Sequence, residues 1–335
     1  MATIYEVSKL AGVSLATVSR VMNKSGRVTD KTRKKVEAAM AELGYRPNSI
    51  AQSLASNRSN SVGILVPELH GPFFGTMLSG VEAELRDAEK HVIITVGHSD
   101  EAKELDGIEF LLSRKCDALI LHVDAVSDGY LVELSAGPVP IVLINRSIPG
   151  IAENCVSLDN EYGGYLAARS LLELGHRSLA YISGPRWKKD ASERLAGHKR
   201  ALSEFGVTCK PALIVEGDFQ EAGGSRGMTQ LLETGMPFSA VVCGNDNMAA
   251  GAVDVARENG LSIPDDVSVV GFDNLILARY IYPKLSTIDY PIIDMGHMAA
   301  RVVLKTMYDI DSTEITNVFK PKLVSRASVR PVADR

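Results

Sequence analysis

Two hydrophobic periods divide the chain. Residues 4–43 repeat apolar positions at helical spacing. From residue 61 onward, short unbroken runs of aliphatic residues alternate with longer amphipathic stretches. In IYEVSKLA, Ile4, Val7, Leu10 and Ala11 are expected on one helix face. Gly12-Val13-Ser14 interrupts the pattern. Gly12 permits a sharp bend, and the Ser14 hydroxyl can cap a second helix. That helix, about residues 15–22, is expected to bury Val18, Val21 and Met22 and to leave Leu15, Ala16, Thr17 and Arg20 accessible. A third helix, from about Asp30 to Leu43, begins after Thr29 and ends at Gly44. Two short helices joined by a glycine turn, with a third in support, predict a helix-turn-helix, whose second helix enters the major groove of DNA.

The runs of the second part are VGILV (62–66), HVIITV (91–96), ALILHV (118–123), IVLIN (141–145), SLAYIS (178–183), AVVCGN (240–245) and VSVVGFD (267–273). Runs without alternation indicate strands covered on both faces, hence parallel sheets flanked by helices. About ten such units exceed one ordinary open sheet. The expected fold is therefore an all-α head plus an α/β body of two lobes.

Composition adds an asymmetry. The 335 residues carry a net charge of −5. Residues 1–59 hold ten basic side chains against Glu6, Asp30, Glu37 and Glu42, so the head carries +6 and the remainder −11. A basic head on an acidic body suggests that only the head meets a polyanion; a merely solvated basic face is the alternative. No apolar run is long enough for a membrane span, and MATIYEVSKLAGVS is too polar for a secretion signal, so the expected location is cytoplasmic. Cys116, Cys155, Cys209 and Cys243 form no CxxC pair and are expected to be reduced and mostly buried in strands. No metal or cofactor is expected.

The segments AGVSLATVSRVMN and GYRPNSIAQSLA resemble the head of the lactose- and galactose-repressor (LacI/GalR) family, and the similarity continues through the chain. CDALILHVDAVSD, VLINRSIPG, DNMAAGA, EITNVF and LVSRASV are most similar to its galactose-repressor branch. The resemblance implies a specificity pair at Leu15 and Ala16, with Arg20 one turn on, suited to a guanine edge or a phosphate. Ser14, Thr17 and Asn23 are expected at the DNA beside them. Residues 47–60 are either a flexible linker or, as the resemblance implies, a hinge helix that orders on DNA. Asn48 and Ala51 would then face the minor groove, with Leu54 wedged between central base pairs. The expected domains are 1–46, the hinge 47–60, and an effector-binding and dimerisation body 61–335. Its lobes comprise 61–159 with 291–320, and 160–288 with 321–335, in a periplasmic-binding-protein-like arrangement.

Ligands of open α/β sheets bind beyond the carboxyl ends of strands. Asn145, Arg146, Asp218, Phe219, Asn245, Asp246 and Asp273 stand at such ends. Carboxylates, an amide and an arginine around an aromatic face suit a sugar. The resemblance adds Asp190, Arg194, Phe73, Phe74 and Tyr290. The expected effector site is thus Phe73, Phe74, Arg146, Asp190, Arg194, Phe219, Asn245, Asp273 and Tyr290. Trp187 either stacks on the ligand or anchors its loop. Where galactose repressors have Asp before Pro72, this chain has Gly71, with Glu68 and His70 nearby as substitutes.

Gly223-Gly224-Ser225-Arg226-Gly227 fits the G-x-S-x-G nucleophile pattern of hydrolases but stands about five residues past its nearest strand, so a flexible helix start is expected and no enzyme activity. The expected function is a dimeric transcription repressor on a near-palindromic operator, released by a small sugar, galactose-like by resemblance. The alternatives are a regulator that needs a purine or sugar phosphate as co-repressor, and a sugar-binding transport protein.

Overall fold

The computed structural model describes residues 2–22, 26, 28–46, 58–310 and 314–332. The chain divides into two compact units, Met1–Ser61 and Val62–Arg335. No helix among the described residues is long and apolar enough to cross a membrane.

The first unit contains α1 (Ile4–Ala11), α2 (Leu15–Met22) and α3 (Asp30–Glu42). Thr3 and Glu6 form a reciprocal capping box on α1. Gly12 turns the chain at φ +66°, and Ser8 Oγ donates to the Val13 carbonyl at 2.6 Å, closing the turn. Ser14 Oγ accepts from Thr17 N–H and caps α2, and Thr29 caps α3 in the same way. Val7, Ala11, Val18, Val36 and Ala39 form the core, with Ile4, Val21 and Met22 packed at its margin. Leu10 departs from expectation and lies 46% exposed. Three residues after Val7, it stands about 60° round the helix from it, outside the stripe centred on Ile4, Val7 and Ala11.

The second unit holds two six-stranded sheets. The first is built from β1 (Ser61–Val66), β2 (His91–Val96), β3 (Ala118–Leu121), β4 (Ile141–Ile144), β5 (Cys155–Leu158) and β11 (Val318–Phe319), in the order β11-β5-β4-β3-β1-β2. The second is built from β6 (Leu179–Ser183), β7 (Ile214–Glu216), β8 (Ala240–Cys243), β9 (Ser268–Asp273), β10 (Ser286–Asp289) and β12 (Lys322–Val324), in the order β12-β10-β9-β8-β6-β7. The two orders are equivalent, and the neighbours β1 and β3, like β6 and β8, pair in parallel. The chain passes between lobes three times: after β5, after β10 and between β11 and β12. The run 91–96 is covered less than its composition suggests. As an edge strand it leaves His91 and Ile94 exposed.

Helices pack against each other through glycines. The pairs are α4 (Pro72–Asp87) with α12 (Ile292–Tyr308), α7 (Asn160–Glu173) with α8 (Lys189–Glu204), and α9 (Glu221–Glu233) with α10 (Asp246–Glu258). A Cβ on Gly80 or Gly296 would come within 2.4 Å of the other helix's carbonyl oxygen. On Gly164 or Gly197 the separation would be 1.9 or 1.8 Å, and on Gly224 or Gly251 it would be 2.0 Å. Each pair is notched reciprocally, one glycine per helix. The GGSRG segment is therefore no flexible helix start. It lies in the first two turns of α9, its Gly224 seats α10, and Ser225 Oγ donates to backbone carbonyls of Glu221 and Gly251.

Candidate functional site

The carboxyl ends of both sheets meet at a cavity of about 220 Å³. Of the expected effector residues, it is lined by Phe73, Phe74, Asp190, Arg194, Phe219, Asn245 and Asp273.

Arg194 is the fixed point. It projects from α8, whose close seat on α7 depends on Gly164 and Gly197. Its Nε donates to Asn160 Oδ1 at 2.9 Å and its Nη1 to the Gly244 carbonyl at 2.7 Å, and the guanidinium lies 3.8 Å from the Phe272 ring centroid. With its plane fixed by a ring and two acceptors, its remaining N–H groups face two carboxylates, Asp273 at 3.6 Å and Asp190 at 3.9 Å. Asp273 ends β9 at φ +109°, a conformation rare for a side-chain-bearing residue. Its Oδ1 is buried and accepts no hydrogen bond. Burial pushes this carboxyl well above the usual carboxylate range, against the pull of Arg194 and with the help of Asp246 and Asp190. A buried acceptor without a donor is what a ligand hydroxyl satisfies.

Aromatic rings form the walls. Phe73 meets Phe74 edge-on at 5.1 Å, and Phe74 meets His122 at 5.1 Å. Phe219, at φ +67°, lays its ring over Gly184, where any Cβ would come within 2.2 Å of it. Asn245 caps α10 by accepting from Met248 N–H, and donates to the Phe219 carbonyl at 2.8 Å, so it holds the wall together as well as lining it.

Arg146 and Tyr290 do not line this cavity. Arg146 turns away: its Nε and Nη2 both reach Asp128 Oδ1, at 2.9 and 2.6 Å, and Nη1 reaches the Val123 carbonyl. An unpaired guanidinium at half-burial costs more than a paired one, and Asp128 at the start of α6 (Asp128–Ser135) supplies the pair. Tyr290 lies behind the cavity, donating to Asn145 Oδ1 at 2.8 Å and packing edge-on against Phe73 at 5.1 Å. Trp187 is 58% exposed beside Arg146 in a smaller adjoining cavity. Glu68 lines the main cavity, while His70 is exposed and pairs with Glu68 at 3.3 Å.

Four contributors are not singled out by the sequence: Lys188 in a charged loop, His122 and Asp124 near a strand end, and Glu104 inside a helix. Lys188 Nζ crosses from one lobe to Asp124 Oδ2 at 2.7 Å and Ser99 Oγ at 2.9 Å in the other. Burial alone would raise the Asp124 carboxyl, but Lys188 and the Ser99 hydroxyl outweigh it and hold it below its usual range. Glu104, fully buried, accepts from the N–H groups of Asp124, Ala125 and Val126 at 2.8–2.9 Å and so fixes that loop. His122 lines the cavity with Nδ1 unpartnered; burial lowers its pKa and keeps the ring neutral. The rule that sends attention to strand ends applies to His122 and Asp124 too.

The lining carries Glu68, Asp124, Asp190, Asp218 and Asp273 against Lys188 and Arg194. Both cations are engaged by carboxylates, and Asp218 is paired outward with Arg226 at 2.5 Å. The field therefore favours an uncharged, hydroxyl-rich ligand over an anion.

In the first unit, Ser14, Leu15, Ala16 and Arg20 are exposed at the start and along one side of α2, and Thr17 is half-buried against Ser14. Asn23, Asn48, Ala51 and Leu54 lie outside the described residues.

Residues 3–48 match the bacterial regulatory proteins of the lacI family, and residues 168–329 match a periplasmic binding protein-like domain. The HTH-type transcriptional regulator GalR of Escherichia coli is 41% identical over 329 residues, 98% of this chain and 96% of its own. The lac repressor dimer, solved bound to operator and the anti-inducer ONPF, superposes with a TM-score of 0.86 at 29% identity, covering 98% of this chain and 99% of that one. The transcriptional regulator CelR, solved with cellobiose, does so at 0.72 and 30% identity over 98% and 100%. A DNA-reading three-helix head, two equivalent lobes and near-complete coverage by such relatives agree: the chain belongs to the lacI family of bacterial regulatory proteins.

Proposed function

We propose that the protein is a dimeric transcription repressor that reads operator DNA with α2 and is released from it by an uncharged sugar bound in the cleft. The observation that carries the sugar reading is Asp273 Oδ1, a buried acceptor without a donor beside a clamped Arg194 and between aromatic walls. Sugar hydroxyls donate to the carboxylate and accept from the guanidinium, and the apolar ring face lies against Phe219 or Phe73. The excess of carboxylates disfavours a sugar phosphate, and the committed cations leave none for its charge. The names of the relatives support a regulator: GalR and CelR are transcriptional regulators, CelR was solved with a sugar, and the lac repressor was solved on its operator as a dimer.

In the head, Leu15 and Ala16 set base preference and Arg20 anchors the helix, because they stand exposed on the helix that a helix-turn-helix inserts in the groove. Asn48, Ala51 and Leu54 form the hinge through which the body acts on DNA. The test is a thermal-shift panel of neutral hexoses, hexose phosphates and purines, with operator binding then measured for each hit. A true effector at 100 times its dissociation constant stabilises the fold by about 2.7 kcal/mol. A neutral hexose that stabilises the fold and weakens operator binding is the expected result. Stabilisation by a hexose phosphate or a purine alone would overturn the reading.

A further inference from the structure

The main cavity adjoins a second one of about 160 Å³, and the two share Asp124, Asn145 and Asp190 in their walls. The outer cavity is completed by Trp187, Arg146, Asp128, Lys189 and Val123. We propose that it is a subsite for a second sugar ring, so that the effector is a two-ring glycoside, one ring in each cavity. The inference rests on the sugar reading of the main cavity.

The outer cavity repeats the chemistry of the inner one. Its guanidinium is fixed: Arg146 makes two bonds to Asp128 Oδ1 and one to the Val123 carbonyl, which leaves further N–H groups on a side chain whose rotamer a ligand need not freeze. Both of the Asp128 bonds fall on one of its oxygens, so the other oxygen is an acceptor for hydroxyls. Trp187 supplies the apolar face. A 58% exposed indole on a loop between β6 and α8, with Lys188 Nζ 5.5 Å from its ring centroid, leaves much of its ring in water, whereas a sugar ring laid on it buries apolar surface of both. Lys189 Nζ is tied to the Ser147 carbonyl at 2.8 Å, which braces the loop that carries Trp187 against the opposite lobe.

The shared residues fit a glycosidic junction. Asn145 Nδ2 reaches Asp190 Oδ2 at 3.2 Å, the long end of the hydrogen-bond range, so a hydroxyl or bridging oxygen inserted there replaces a weak contact. The second ring also touches residues of both lobes, Asp128 and Arg146 on one and Trp187 on the other, and so favours their closure more than a single ring does.

The test is titration calorimetry of the full chain with D-galactose and D-glucose, and with the two-ring sugars lactose, melibiose, cellobiose and maltose. It is run on the wild type and on Trp187→Ala. The expected result is a two-ring sugar that binds at least about tenfold tighter than either single ring, the worth of one stacked ring. In Trp187→Ala that advantage disappears while single-ring affinity stays within about twofold. Single rings that bind as tightly as the two-ring sugars, or an advantage that survives Trp187→Ala, overturn the subsite and leave the sugar reading standing. No binding by any of the six overturns the sugar reading and the subsite with it.

Discussion

At Asp273 the burial of a carboxyl and an Oδ1 that accepts no hydrogen bond each cost stability that a ligand donor recovers, while the backbone strain at φ +109° is present with or without it. Asn tolerates the backbone there and carries no charge. Asp273→Asn is therefore expected to lower sugar affinity about tenfold, since it replaces one acceptor oxygen with an N–H donor, while the sugar-free melting temperature holds or rises. Calorimetry and a thermal melt of the same preparation check both halves. His198 makes the opposite case, a buried group without a role in the cavity. Burial, helped by Lys199, depresses its pKa from 6.5 to about 3, and its Nδ1 has no partner. The folded state then binds fewer protons than the unfolded state below pH 6.5, so stability present above that value is lost as pH falls toward 3. At pH 5 the loss is about 2 kcal/mol. Denaturation of wild type and His198→Leu between pH 7 and 5 checks it: the wild type loses more stability than the variant, and parallel profiles would remove His198 as the cause. Residues of this kind are invisible in sequence. Asp273 and Arg194, which end a strand or sit in a familiar motif, line the main cavity, whereas Arg146, also at a strand end, lines the adjoining one. A strand end says where a side chain starts, and Asp128, 18 residues upstream, decides where it goes.

Helices and strands are the most legible layer, because periodicity is written locally. The parallel strands and the capped three-helix head arise from runs and caps, and the exceptions have local causes: an edge position for β2, and a place beside the apolar stripe for Leu10. What periodicity cannot show is the use of glycine inside helices. Three helix pairs meet at backbone distance, and at each crossing a glycine faces the partner's carbonyl oxygen. With no side chains between them, such seams have no rotamers to rearrange, so each lobe moves as a body. The seams differ in what they carry. Gly164 faces the Arg194 carbonyl, whereas Gly80 faces that of Ile293 on α12, a helix that contributes no residue to the cavity lining. Gly164→Ala is expected to cost about 1–3 kcal/mol of stability and to weaken sugar binding, because the displaced α8 carries Arg194 out of register. Gly80→Ala is expected to cost a similar amount of stability with sugar affinity nearly unchanged. Denaturant unfolding paired with sugar titration on both variants separates the two, and equal loss of affinity would show that the seam does not set the position of Arg194.

Across the whole molecule, three chain crossings hold the lobes together covalently and a few polar bonds close the cleft: Lys188 to Asp124, Asn145 to Asp190, and Gln220 to Glu68 at 3.4 Å. Lys188→Met removes the shortest of these and is expected to open the sugar-free lobes; small-angle scattering should report a larger radius of gyration that saturating sugar reverses. An unchanged radius would mean that the crossings alone set the closure. The proposed coupling to DNA runs through residues 47–57, where Leu54→Ala is expected to weaken operator binding and reduce DNA bending while leaving sugar affinity intact; gel-shift bending assays and calorimetry together check it. The crossings also impose an order on the birth of the protein. The head is complete once residue 46 has been made, and its core draws on nothing later. The first lobe is different: β5 is finished at Leu158, but α12, which covers α4, and the closing strand β11 are encoded only at 292–308 and 318–319. At ~5–20 residues per second, the ribosome holds that unfinished sheet for on the order of 10 s while all of the second lobe but β12 is synthesised. The head thus emerges from the ribosome well before the effector-binding body is complete, and chaperones that shield apolar nascent strands have their longest task between these two moments.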